Sequence, residues 1–152
     1  METTEKSIDV LNDLIEINND RVAGFEKASK DLGEGDFELK GTFEKFAEES
    51  RTNSAELSSA VGQFGGEAET GTSGTGAIHR AWLDVKATFT GHDRKSVLEE
   101  CERGEDAIKK AYKSALEPEN ELSYELTEII RDQQLSINAA HDQIKALRDS
   151  QA

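Results

Sequence analysis

The chain has 152 residues and a formal net charge of −14, with 35% hydrophobic and 33% charged residues, which indicates one acidic domain over residues 1–152. The negative charge would be repelled by nucleic acid and by anionic membrane surfaces, so we expect neither as a partner. One cysteine excludes an internal disulfide framework, and because neither a signal peptide nor an apolar run of membrane-spanning length is visible, we expect a protein of the reducing cytoplasm.

The first two predicted elements are long amphipathic helices. Between about Glu5 and Asp31, apolar residues recur at helical spacing on one face, and glycines follow. The same pattern returns over residues 36–64, where Asp36 is suited to cap the start and Gly65 to end the helix. Because a short turn joins the two helices, we expect them to be antiparallel neighbours.

A crossover is predicted over residues 65–92. It opens with a loop rich in glycine and threonine and continues into a short amphipathic helix. The apolar face of this helix either covers a flank of the molecule or, if exposed, offers a surface for self-association or a protein partner. This candidate interaction surface consists of Ile78, Trp82, Val85 and Phe89.

Two further long helices complete the predicted fold. One follows Asp93, which can cap it, and runs to about Leu116, and the other is predicted to start at Pro118, a residue that favours a first helical turn. These two helices should also be antiparallel, and the crossover should return the chain along their length. The sequence therefore predicts an all-α, up-down-down-up four-helix bundle of ferritin-like topology, with a short extra helix in the long crossover.

Polar residues interrupt the apolar stripes near the middle of each long helix. They are Asn18, Ser50, Glu105 and Gln133, and the predicted topology brings the four midpoints together. A buried Glu105 would need a cation or hydrogen-bond donors, or would stay protonated. Arg21, one turn after Asn18, is the first partner that we expect for it.

This polar layer has two interpretations. A satisfied hydrogen-bond layer would fix the register of the helices, whereas a metal or small-ligand site would use Glu105 with Asn18, Asp20 and Gln133. Di-iron bundles present one Glu from each of two helices and Glu-x-x-His from each of the other two. No glutamate in the chain has a histidine three residues later. We therefore predict neither a redox iron pair nor a cofactor, and assign no metal ligand.

The remaining reactive residue types predict no catalytic site. His79, His92 and His141 lack zinc-site spacing, and His141 is expected to be a satisfied residue at the edge of the last apolar stripe. Cys101 lies on an apolar stripe and should pack as a small hydrophobic residue. No Ser/His/Asp or Cys/His group of the kind used in nucleophilic catalysis lies close together in the sequence.

Three segments together carry a family resemblance: Val10–Asp20 (VLNDLIEINND), His79–Trp82 (HRAW) and Leu98–Asp106 (LEECERGED). Through them the chain resembles, over nearly its whole length, a bacterial family of ferritin-like four-helix-bundle proteins of unknown function. The resemblance implies the fold and brings no activity or catalytic residue. We expect a non-enzymatic, stress-related or protein-interaction module with a homo-oligomeric or protein partner; the alternative is a bundle that binds a metal or small ligand in its polar layer.

Overall fold

The computed structural model describes residues 2–32, 37–66 and 94–150. The long helices within these ranges are α1 (Glu2–Asp31), α2 (Phe37–Gln63), α3 (Arg94–Ala115) and α4 (Tyr124–Asp149), and a short 3₁₀ helix, Pro118–Asn120, precedes α4. The described ranges contain no strand. None of the helices in these ranges combines the length and the apolar character that crossing a membrane requires.

Hydrogen bonds between helices fix the direction in which each helix runs. For each pair of helices two bonded residue pairs are compared: as the residue number rises along one helix, the number of its partner falls along the other. The pairs are Asn18–Asn53 and Arg21–Phe46 for α1 and α2, Asn18–Tyr112 and Arg21–Glu105 for α1 and α3, and Tyr112–Gln133 and His141–Asp106 for α3 and α4. All three pairs of helices are therefore antiparallel, which confirms the predicted up-down-down-up bundle.

The core consists of two apolar clusters at opposite ends of the bundle. In the first, the ring centre of Phe25 lies 5.4 Å from that of Phe43 and 5.5 Å from that of Phe46. The second cluster contains Ile15, Leu57 and residues from α3 and α4. All four helices contribute to both clusters because their apolar stripes run along most of their length. The polar residues of the helix midpoints lie between the two clusters.

The last long helix begins later than predicted. Pro118 opens the separate 3₁₀ helix, and Glu121 then adopts the left-handed conformation with φ 50°, which a right-handed helix cannot continue through. The side chain of Asn120 donates hydrogen bonds to carbonyl groups at the end of α3 and so holds this turn. Ser123 caps α4, its Oγ accepting from the backbone NH of Leu126 at 3.2 Å.

The end of α2 shows why two glycines occur together there. Gly65 has φ 79°, a left-handed conformation that favours glycine. A Cβ atom on Gly66 would lie 2.9 Å from Cδ1 of Ile8, so any other residue there would require the Ile8 side chain of α1 to shift. Most of the predicted crossover, including the helix with Ile78, Trp82, Val85 and Phe89, lies outside the described residues, as do the predicted caps at 36 and 93.

Candidate functional site

An ion pair between α1 and α3 lies at the centre of the bundle. Arg21 and Glu105 are both 0% exposed. Nε of Arg21 donates to Oε1 of Glu105 at 2.7 Å, and Nη2 donates to Oε2 at 3.3 Å. The planar guanidinium therefore contacts both carboxylate oxygens, the geometry in which an arginine–carboxylate pair is strongest. Arg21 is thus the counter-charge that a buried Glu105 requires.

The remaining nitrogen of Arg21 binds α2. Nη1 donates to Oγ of Ser50 at 2.9 Å, to Oε1 of Glu49 at 3.0 Å and to the carbonyl oxygen of Phe46 at 3.3 Å. The guanidinium carbon also lies 5.3 Å from the ring centre of Phe25 and 5.7 Å from that of Phe46, within the range of cation–π attraction. One side chain therefore ties α1 to both α2 and α3.

Asn18 extends the network towards the second apolar cluster. Its Oδ1 accepts from Oγ of Ser50 at 2.9 Å and from Nδ2 of Asn53 at 3.3 Å. Its Nδ2 donates to the hydroxyl oxygen of Tyr112 at 2.7 Å and to the carbonyl oxygen of Leu14 at 2.8 Å. With both donors and both acceptor positions in use, Asn18 has its hydrogen-bonding capacity filled.

Tyr112 and Gln133 bring α4 into the same network. The Tyr112 hydroxyl donates to Oε1 of Gln133 at 2.7 Å. Nε2 of Gln133 donates to Oε1 of Glu56 at 2.8 Å and to the carbonyl oxygen of Asn53 at 3.4 Å. The network therefore joins all four long helices at one height.

The structure brings together most of the residues predicted for the polar layer: Asn18, Arg21, Ser50, Glu105 and Gln133. Asp20 is also buried, at 2% exposed, but it lies roughly 200° around α1 from Asn18 and so faces another side of the helix. The role of these residues in a ligand site stays a prediction.

The sequence analysis missed three members of the network. Tyr112 lies at an apolar-stripe position of α3, and its ring packs in the second cluster while its hydroxyl reaches the polar layer. Its position seven residues after Glu105, on the same face of α3, was the available signal. Glu49 and Glu56 enter from the edge of the layer, and no periodicity in the sequence marked them.

Burial acts on the pKa of both members of the ion pair. Burial lowers the pKa of Arg21, but the charges and hydrogen bonds of Glu105 and Glu49 outweigh it and hold this pKa above its ordinary value. Burial raises the pKa of Glu105 above that of an ordinary carboxyl, and Arg21 offsets part of this increase. Each charge is therefore tolerated in the core because of the other, and removing one partner would leave the other uncompensated.

Burial raises the pKa of Tyr112 well above its ordinary value, and this predicts an alkaline loss of stability. The unfolded chain releases the phenolic proton at about pH 10, whereas the folded chain keeps it. The free energy of unfolding should therefore fall above that pH, by up to about 1.4 kcal/mol per pH unit for this group. Denaturant titrations at a series of alkaline pH values should show a shallower fall for Tyr112→Phe than for wild type.

The other tyrosine in the chain, Tyr124, provides the control for this experiment because it is 79% exposed. Tyr124→Phe should keep the wild-type pH dependence. Equal slopes for Tyr112→Phe and wild type would show that Tyr112 does not hold its proton in the core.

Two solved structures share this fold. A dodecameric thioferritin, the bacterioferritin-related protein from Bacteroides fragilis, matches with a TM-score of 0.77 at 15% identity, covering 97% of this chain and 86% of that chain. A ferritin-like diiron-carboxylate protein from Bacillus anthracis str. Ames matches with a TM-score of 0.71 at 15% identity, covering 100% of this chain and 99% of that chain. At this identity the similarity shows the fold alone.

The centre of this bundle does not fit an iron pair. Such a site takes a carboxylate from each of four helices and a histidine from two of them. Here the guanidinium of Arg21 already lies between Glu49 of α2 and Glu105 of α3, and arginine does not lose its proton in proteins. The groups that α1 and α4 supply beside it, Asn18 and Gln133, are neutral amides. Arg21 thus bridges two carboxylates in the manner of a metal cation.

The match of the chain to a protein-family model agrees with the resemblance seen in the sequence. Comparison with curated proteins gave no match. The model of the family described as "Domain of unknown function (DUF2383)" matches residues 6–118, which contain Asn18, Arg21, Ser50, Glu105 and Tyr112. This match covers well over half of the chain, which has the ferritin-like four-helix-bundle fold, and the chain therefore belongs to the DUF2383 family of domains of unknown function.

Proposed function

We propose that this protein is a non-enzymatic ferritin-like bundle in which the Arg21–Glu105 ion pair occupies the place of a redox iron pair. One observation carries the proposal: the guanidinium of Arg21 contacts both oxygens of Glu105 and, at 3.0 Å, an oxygen of Glu49. A fixed positive charge at this position repels a metal cation and occupies the carboxylates that would bind it. The polar layer then serves to fix the register of the four helices.

A bundle without a redox centre acts through its surface, and we propose a protein partner or a second copy of the chain as what it binds. The large exposed hydrophobic residues of the described helices are Phe37, Tyr124 and Leu135. Phe37 starts α2 and Tyr124 starts α4, so these two lie at opposite ends of the bundle, and Leu135 lies midway along α4. Such scattered residues make no continuous patch, and the surface with Trp82 stays the predicted docking face.

Iron oxidation tests the proposal. Protein purified without a tag should oxidise Fe²⁺ in air no faster than buffer, because the carboxylates at its centre are engaged by Arg21. It should also retain no iron pair after desalting. Glu105→Gln, which keeps the size of the side chain and removes the charge, is the matched control and should behave in the same way. Iron oxidation by the wild type that disappears in Glu105→Gln would overturn the proposal.

A further inference from the structure

A second polar cluster lies beside the ion pair, between α3 and α4. It contains Glu102 and Asp106 of α3 and His141 of α4, with one nitrogen or oxygen atom from each lying within 4.8 Å of the other two. Glu102 and Asp106 are four residues apart and therefore share one face of α3. We propose that this cluster, which we call the α3–α4 site, binds one divalent transition-metal ion, with Zn²⁺ as the probe. This site is separate from the polar layer and does not depend on the proposed function.

His141 is the residue that makes the cluster more than a group of surface acids. It is only 7% exposed, and its Nε2 lies 2.5 Å from Oδ1 of Asp106, so the imidazole is held against that carboxylate, with an oxygen of Glu102 within 4.8 Å. Its other ring nitrogen, Nδ1, has no hydrogen-bond partner among the described residues and lies 3.5 Å from Oδ1 of Asp142. Metal-binding histidines commonly direct their second nitrogen at a carboxylate, which orients the ring. Asp142 lies close enough to take this supporting role through a small movement, although it makes no hydrogen bond to Nδ1 here.

The chemistry of the three ligands indicates the class of metal. An imidazole nitrogen with two carboxylate oxygens suits Zn²⁺, Mn²⁺ or Fe²⁺ and leaves a further coordination position for water. The side chain of Asp106 is 59% exposed, so a cation can reach the site from solvent. The two carboxylates balance the charge of a divalent ion.

Arg148 is a competitor for the same carboxylate. It forms an ion pair with Glu102, and its own side chain is 31% exposed. A bound metal would have to displace this guanidinium or share Glu102 with it. Removing Arg148 should therefore strengthen metal binding, whereas removing any of the three ligands should weaken it. These opposite directions distinguish a site at Glu102 from the diffuse attraction of cations to an acidic protein. Diffuse attraction would change only slightly when one positive charge is lost.

Calorimetric titration of chelator-stripped, untagged protein with Zn²⁺ tests the proposal. We expect one saturable site, weakened more than about tenfold in Asp106→Asn and about tenfold in Asp142→Asn. Arg148→Gln should bind more tightly than wild type. The other two histidines, His79 and His92, provide the matched controls, and their replacement by alanine should leave the affinity unchanged.

A second probe tests the histidine ligand directly. Co²⁺ bound to wild type should give a visible absorption spectrum that changes in His141→Ala, with circular dichroism confirming that the variant is folded. If His141→Ala does not fold, Asp106→Asn still tests the site, because an exposed side chain can be replaced without unfolding the protein. Absence of saturable Zn²⁺ binding by wild type, or an affinity of Asp106→Asn equal to that of wild type, would overturn the proposal.

Discussion

Replacing Arg21 with methionine is expected to lower the free energy of unfolding by about 3–5 kcal/mol at neutral pH. The substitution keeps a long side chain but removes the cation that contacts both oxygens of Glu105. The carboxylate is then left fully buried without its counter-charge, and Ser50 also loses a donor. Denaturant unfolding followed by circular dichroism measures this difference.

The double variant Arg21→Met/Glu105→Leu shows whether the loss comes from the broken pair. Replacing both charges with apolar groups removes the cost of burying them, so the double variant should recover much of the stability that either single variant loses. The matched control is Arg51→Met on α2, whose side chain is 42% exposed and paired with Glu26 and Glu48. That change should stay within about 1 kcal/mol. An Arg21→Met variant as stable as Arg51→Met would contradict the central role of the ion pair.

Replacing Asn18 with leucine is expected to lower the free energy of unfolding by at least about 2 kcal/mol, because each buried polar group left without a partner costs about 1–3 kcal/mol. Asn18 accepts from Ser50 and Asn53 and donates to Tyr112, all at buried positions. Leucine has a similar size and supplies none of these bonds. Thermal and denaturant unfolding would both report the loss.

Asn19→Leu is the control for this experiment because it changes the same residue type one position along α1. Asn19 is only partly buried, and its Oδ1 accepts a hydrogen bond from Oγ of Ser54 at 3.1 Å, so its polar groups stay within reach of water. The control should therefore cost less than Asn18→Leu. If Asn18→Leu were neutral or stabilising, the polar layer would not hold the helices together in the way that its hydrogen bonds indicate.

The fold could be predicted from the sequence because its physical determinants are local and periodic. Apolar stripes at helical spacing mark the four long helices, and the lengths of their connections determine which neighbours are antiparallel. Long antiparallel helices share a mid-height, which is why the sequence could bring Asn18, Ser50, Glu105 and Gln133 to one layer. Arg21 was expected as the partner of Glu105 because it follows Asn18 by about one turn.

Other features depend on packing that sequence periodicity does not contain. In a sequence pattern Tyr112 is one of the apolar residues of its helix face. Only the spacing between α1 and α3 in the structure shows that its hydroxyl reaches Asn18. The late start of α4 depends on the left-handed conformation of Glu121, a residue type with no preference for that conformation. The α3–α4 site depends on the register that sets His141 against Asp106, and residues 35 positions apart give no signal of this in the sequence.

The most direct test is a crystal structure of protein crystallised with Fe²⁺, with diffraction data collected at the iron absorption edge. It shows whether Arg21 or iron lies beside Glu105 at the centre of the bundle. We expect no anomalous peak in the bundle core between Glu49 and Glu105, where the guanidinium of Arg21 lies, and both carboxylate oxygens of Glu105 within hydrogen-bonding distance of Arg21. Iron at the separate α3–α4 site would leave this expectation unchanged. Iron between Glu49 and Glu105, with Arg21 turned away from Glu105, would contradict the proposal that the ion pair occupies the place of an iron pair.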